Sequence, residues 1–274
     1  MRIAAFILAL CLSLHAADPA VGPTSGTLFI HGGGRLTAEQ VAEFIRLAGG
    51  IESPFVIIPT ADFGEEWADN YVDRSFLTRA GARNIRVLHT RNRDVANSPT
   101  FVEPLTKAKA VWIEGGRQWR LANAYLGTRT QIELRNLLAR GGLIGGSSAG
   151  ATIQGSYMVR GAPEGNHIMM APGHEEGFAF LKNVAIDQHV IARNREKDML
   201  QVVAARPEIL GLGLDEATAL IVQGDRARVL GKSKVLVYDR NLPTSVESPY
   251  LSLASGETLD LSTRRPVSEA PSSP

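Results

Sequence analysis

The order of short apolar runs and longer helical patterns predicts an α/β fold: a mostly parallel central sheet with helices on both faces, and antiparallel hairpin strands added near the C-terminus. Three observations carry this expectation. A βαβα rhythm runs from Thr27 to Ile144, Gly-rich turns follow several of its strands, and the spacing between strands shortens after Leu210.

The rhythm begins with the strand Leu28-Phe29-Ile30, which enters His31-Gly32-Gly33-Gly34. Val41, Phe44, Ile45 and Leu47 then recur at helical spacing within Thr37 to Leu47. Phe55 to Ile58 is a strand closed by Pro59, Glu65 to Ala80 reads as a helix, and Ile85 to Leu88 as the next strand. Val111-Trp112-Ile113 leads into Gly115-Gly116, and a helix over Gln131 to Arg140 precedes the strand Leu143-Ile144. A further strand, Val184 to Val190, leads into a helix over Arg195 to Ala204. Leu210 to Leu214, Ala219 to Val222, Ala227 to Leu230 and Lys234 to Tyr238 are closely spaced strands, with Gly224-Asp225 and Gly231 as turns. Beyond Asp239 the chain is rich in Pro and Ser, so residues 263–274 are expected to form a disordered tail behind a single domain spanning 18–262.

Of the 274 residues, 44% are hydrophobic, enough apolar material for one sizeable core. Lys and Arg total 29 against 28 acidic residues, a balance that argues against a polyanion such as nucleic acid as partner. Nothing in the composition fixes the oligomeric state, and a homodimer is allowed. The start of the chain reads as an address. Met1-Arg2 is basic, Ile3 to Leu14 is apolar, and Ala16-Ala17 offers small residues before Asp18-Pro19. This is the pattern of a secretory signal peptide over residues 1–17, too short for a permanent membrane anchor, and it predicts a periplasmic or secreted protein. The sole cysteine, Cys11, lies inside that segment. The mature chain therefore has no thiol for catalysis, disulfides or metal binding.

Gly145-Gly146-Ser147-Ser148-Ala149-Gly150 lies between a strand and a helix start. A nucleophile elbow turns sharply there and needs small residues two before and two after the reactive side chain. Ser148 has Gly146 and Gly150 in those places, whereas Ser147 has Gly145 but Ala149. Ser148 is accordingly the candidate nucleophile, with the N–H of Ala149 turned toward a developing oxyanion. A phosphate cradle is the competing reading of such a loop, but this one has neither the lysine nor the spacing of a phosphate loop.

A serine hydroxyl needs an imidazole to take its proton. The histidines are His15, His31, His89, His167, His174 and His189, with none beyond the last. His189 ends a strand, which places it on the same sheet rim as Ser148 and makes it the candidate base. His167 and His174 fall in the loop-like stretch Gly161 to Gly177. The acid that orients the imidazole could be Glu164, Glu175, Glu176 or Asp187, and spacing does not choose among them.

Several segments together resemble the cyanophycinase and dipeptidase E family of serine peptidases. They are Gly115-Gly116-Arg117-Gln118, Gly145 to Ala151, Asp187-Gln188-His189, Arg193-x-Arg195 and the run GLGLDEATA from Gly211 to Ala219. The family resembles class I glutamine amidotransferases in fold, with Ser in place of their Cys. The resemblance implies Ser148 as nucleophile and His189 as general base. It implies Glu164 as the third member, because Glu164 follows Gly161 shortly after the elbow helix; Asp187, two residues before the base on the same strand, is the rival by position. It further implies Gln118, Asp187, Gln188, Arg193 and Arg195 as residues that line the substrate cleft. Asp198 stands where cyanophycinases carry a third arginine, so the pocket for a β-aspartyl-arginine unit is altered here.

The function expected is hydrolysis of a peptide or isopeptide bond through an acyl-enzyme, with Ala149 and Gly116 supplying oxyanion donors and with no metal or cofactor. Two other readings compete. His31-Gly32-Gly33-Gly34 imitates the oxyanion loop of an exported carboxylesterase, and a protein of this fold could be a catalytically silent binder.

Overall fold

The computed structural model describes residues 21–64, 67, 71–242, 245 and 248–267. The leader over residues 1–17 lies outside them. Five strands form a parallel core: β1 (Thr27–His31), β2 (Phe55–Ile58), β3 (Ile85–Val87), β4 (Ala110–Ile113) and β5 (Leu143–Ser147), in the order β1-β5-β4-β2-β3. All positions of β1, β2 and β4 are buried, which explains their unbroken apolar runs. Next come β6 (Gly155–Tyr157), β7 (Leu181–Gln188) and β8 (Leu210–Leu214), parallel to one another in a second sheet. The chain then alternates between sheets. β9 (Thr218–Gln223) and β10 (Arg226–Gly231) add antiparallel strands beside β1, while β11 (Val235–Tyr238) and β12 (Leu251–Leu253) extend the second sheet from β8. β13 (Thr258–Asp260) and β14 (Arg265–Pro266) finish the edge of the first sheet.

The α/β class and the added antiparallel strands thus agree with the sequence reading, but the strands divide between two sheets of nine and five. His189 consequently leaves β7 of the second sheet while Ser148 leaves β5 of the first. Residues 263–267, expected in the tail, are ordered into the edge, where Leu259 pairs with Pro266.

The helices are α1 (Ala38–Leu47), α2 (Phe76–Arg79), α3 (Arg93–Asn97), α4 (Pro99–Lys107), α5 (Gln118–Tyr125), α6 (Arg129–Ala139), α7 (Ala149–Thr152) and α8 (Met199–Ala205). Thr37 caps α1 in a capping box with Gln40, so that helix starts where its apolar periodicity does. The helix expected over Glu65 to Ala80 is broken in its described part. Ser75 is extended (ψ 154°) and accepts from the Thr78 N–H, which starts α2 anew after a short 3₁₀ turn at Val72–Arg74. Helices α3, α4 and α5 have no counterpart in the periodicity reading; α4 starts on Pro99, a residue suited to a first helical turn.

Helices cover the first sheet on both sides. Phe44 of α1 packs against Phe29 and Trp112 with ring centroids 5.5 and 5.2 Å apart. On the other face Leu121, Leu134 and Leu137 of α5 and α6 join Leu28, Val111 and Ile144 in one buried cluster. These two apolar layers fix the carboxyl ends of β1, β4 and β5 side by side, and the candidate site lies on that rim.

Candidate active site

The turn from β5 into α7 is a strained elbow. Ser148 has φ 54° and ψ −112°, and its N–H donates to the His31 carbonyl at 3.0 Å. Such a backbone costs on the order of 1–3 kcal/mol for a residue with a side chain. The glycines around it are required sterically. A Cβ on Gly146 would lie 2.3 Å from the Gly150 oxygen, and one on Gly150 would lie 2.0 Å from the Ile113 oxygen. The small-residue argument that selected Ser148 over Ser147 therefore has a direct counterpart in the packing.

His189 emerges from β7, also with positive φ (55°), and its N–H donates to the Gly32 carbonyl at 2.9 Å. Its Nε2 lies 2.9 Å from Ser148 Oγ, and its Nδ1 lies 2.6 Å from Glu216 Oε1. A carboxylate can only accept, so Nδ1 carries the proton and Nε2 is free to accept from the serine hydroxyl. Burial holds the His189 pKa below its ordinary value, Arg193 and Arg195 push the same way, and Glu216 opposes them. The imidazole is thereby kept neutral and ready to take a proton.

The carboxylate on His189 is Glu216, and the structure does not bring Glu164 there. Glu164 is exposed in the loop after Gly161, away from the imidazole's hydrogen bonds. Asp187 is equally engaged elsewhere. Its two oxygens accept from Arg160 Nε and Nη2 at 2.8 Å each, and both side chains are only 1% exposed. Glu175 accepts from the Tyr157 hydroxyl at 2.7 Å, and the backbone of Glu176 pairs with that of Tyr157 in an isolated antiparallel β-bridge away from His189. Glu216 lies in the turn between β8 and β9, inside the run GLGLDEATA. The available signal was that run itself: an acidic pair at the end of a buried strand, downstream of the base. Its neighbour Asp215 accepts from the N–H groups of Ile191 and Ala192 at 3.1 and 2.9 Å and so ties this turn to the residues after His189.

The His31-Gly32-Gly33-Gly34 segment supports the imidazole. The Gly32 N–H is committed to the Thr218 carbonyl at 2.9 Å, and the Gly33 carbonyl accepts from Ala217 at 2.9 Å. Gly33 lies against the His189 ring and Gly34 against the Glu216 side chain. The likeness to an esterase oxyanion loop is therefore one of sequence; in the fold the segment is a floor for the histidine.

Opposite Ser148, a Cβ on Gly115 would lie 3.3 Å from the Ser148 Cβ. Gly116 has φ 142° and passes so close to Ala61 that a Cβ would meet its oxygen at 2.2 Å. Among the described residues the N–H groups of Ala149 and Gly116 have no acceptor. They are the two expected as oxyanion donors.

The expected cleft residues meet varied surroundings. Gln118 is buried and donates from Nε2 to the Val159 carbonyl at 2.8 Å. Gln188 Oε1 and Arg195 Nη1 are buried without a partner among the described residues. Arg193 is exposed, with its N–H on the His189 carbonyl at 3.0 Å. Asp198, its side chain 39% exposed, accepts from Arg160 Nη2 at 2.7 Å and caps the buried Arg160–Asp187 pair.

Residues 28–230 match the profile of Peptidase family S51. The cyanophycinase of Geminocystis herdmanii is 32% identical over 205 residues, 73% of this chain and 75% of that protein. That of a Nostoc species is 30% identical over 220 residues, 78% of this chain and 72% of the other. Among solved structures, a peptidase from an acI-B1 actinobacterium superposes with a TM-score of 0.66 at 23% identity. That superposition covers 86% of this chain and 97% of the other, a likeness of fold.

Proposed function

Because the chain belongs to Peptidase family S51 and is a serine-type exopeptidase, we propose that it cleaves a peptide or isopeptide bond through an acyl-enzyme on Ser148. The observation that carries this reading is the line Ser148 Oγ–His189 Nε2–Glu216 Oε1, with contacts of 2.9 and 2.6 Å. His189 takes the hydroxyl proton as Ser148 Oγ bonds to the carbonyl carbon. Glu216 stabilises the imidazolium while the N–H groups of Ala149 and Gly116 hold the oxyanion. The C–N bond then breaks, and the leaving amine receives the proton from His189. Water repeats the sequence on the ester, releasing the acid and restoring Ser148.

The relatives called cyanophycinases support a β-aspartyl linkage as the bond cleaved. Gln188 Oε1 and Arg195 Nη1, buried and unpartnered among the described residues, are suited to a polar substrate group beside His189. Labelling with a fluorophosphonate tests the nucleophile: wild type and Ser147→Ala should react and Ser148→Ala should not. Turnover of β-aspartyl-arginine against α-linked dipeptides tests the linkage, and a preference for α-linked substrates would refute it.

We also read residues 1–17 as a cleaved export signal, which makes the mature protein periplasmic or secreted. No helix among the described residues is long and apolar enough to cross a membrane. Mass spectrometry of the exported protein should find an N-terminus near Asp18; intact Met1 in a membrane fraction would sink this reading.

A further inference from the structure

A cavity of about 1060 Å³ lies on the α1 and α2 side of the sheet rim; no triad residue lines it, but Gly34, which does, lies against the Glu216 side chain. Three of its lining residues are next in sequence to residues at the reactive groups. Ser147 precedes Ser148, Glu114 precedes the Gly115 that faces Ser148, and Gly34 follows the Gly33 that lies on His189. The hydroxyl of Ser147 is held 3.1 Å from His31 Nδ1. Burial and the nearby His189 lower the pKa of His31 to about 4, so that ring is neutral at physiological pH.

The walls of the cavity have a definite chemistry. Arg35, Arg74 and Arg79 line it, and all three are exposed. Among the described residues none of them has an acidic partner. Phe76, Ile45 and Val41 supply an apolar side, and Trp112 donates to Glu114 Oε2 at 3.2 Å at the base. Among the described residues Glu114 is the one acid on the lining, and burial raises its pKa from the ordinary carboxylate value. The Arg79 guanidinium donates to the Arg74 carbonyl, which leaves those of Arg35 and Arg74 without a partner among the described residues. Over an apolar wall these two suit a short aliphatic chain ending in a carboxylate. Arg193 and Arg195 do not line this space; they follow His189 on the other strand end.

We propose that this cavity is a substrate subsite, separate from the Arg193–Arg195 turn, that selects a carboxylate-bearing segment on the β4–β5 side of the scissile bond. The proposal rests on Ser148 being the reactive residue, so its test reads binding rather than turnover. Calorimetric titration of the mature protein with glutarate should show roughly millimolar affinity, and glutaramide, which lacks the charges, should not bind. Arg35→Ala/Arg74→Ala should weaken glutarate by about tenfold, and the double Lys variant should recover most of that loss. Arg193→Ala should leave it unchanged. Arg35 and Arg74 are both exposed, so their removal spares the fold. Absence of glutarate binding, equal binding of the diamide, or loss with Arg193→Ala but not with the cavity variant overturns the subsite. None of these outcomes bears on Ser148, whose reactivity the fluorophosphonate reports separately.

Discussion

Gly33 lies directly against the imidazole of His189: a Cβ at this glycine would sit 2.1 Å from Cε1 and 2.6 Å from Nε2 of the ring. Its φ of 120° also lies where side chains are strained. Gly33→Ala must therefore push the ring off the line between Ser148 and Glu216. Since small misplacements of a reacting group are costly, kcat/KM should fall by about 100-fold. Thermal unfolding should move far less, corresponding to about 1–2 kcal/mol. Near-normal kinetics would mean that the ring does not depend on this contact.

Glu216 holds the Nδ1 proton of His189, so its charge stabilises the imidazolium formed in the transition state. Glu216→Gln should lower kcat by about 10²–10⁴-fold with a smaller change in KM. Glu164→Gln should be close to wild type, because Glu164 is exposed and does not contact His189. Parallel steady-state kinetics decide the matter, and the reverse pattern would restore Glu164 as the acid.

The neutral imidazole is the active form of the base, and its pKa is lowered from the ordinary 6.5. Activity should persist below pH 6.5 and be lost as the pH falls through the depressed His189 value. Arg193 is one cause of that depression. Arg193→Ala should shift the acid limb of kcat/KM to higher pH, because protonated His189 loses a repelling neighbour. A limb that stays in place or moves down would show that Arg193 does not depress the His189 value.

Arg160 is buried with positive φ (56°) and pairs with Asp187 and Asp198. Arg160→Met leaves the Asp187 carboxylate buried without its partner, which should cost about 3–5 kcal/mol in chemical denaturation. Asp187→Asn should also destabilise, yet the acid limb of its pH–rate profile should match wild type, since Asp187 does not touch His189. A displaced limb in Asp187→Asn would assign it a part in the proton chemistry.

What could be read from the sequence was local. The parallel strands announced themselves because burial on both faces demands unbroken apolar runs such as Leu28-Phe29-Ile30. Ser148 followed from sterics within five residues, Gly146 to Gly150, and the structure spaces those glycines as that argument requires. His189 was legible as a polar residue at the end of a strand. The ordering of Phe76 to Arg79 as a separate short helix was less so, because an extended Ser75 interrupts a pattern that apolar spacing alone cannot see broken. Glu216 needed the tertiary structure. Its contact with His189 joins two strand ends 27 residues apart, and it depends on β8 pairing with β7 while β9 crosses to β1. Asp187, nearer in sequence and on the same strand as the base, was removed from contention by Arg160, a partner also 27 residues away. Periodicity and turn chemistry report what a residue does to its neighbours along the chain. Which of several carboxylates reaches an imidazole is decided by how two sheets share one chain, and only the folded packing states that.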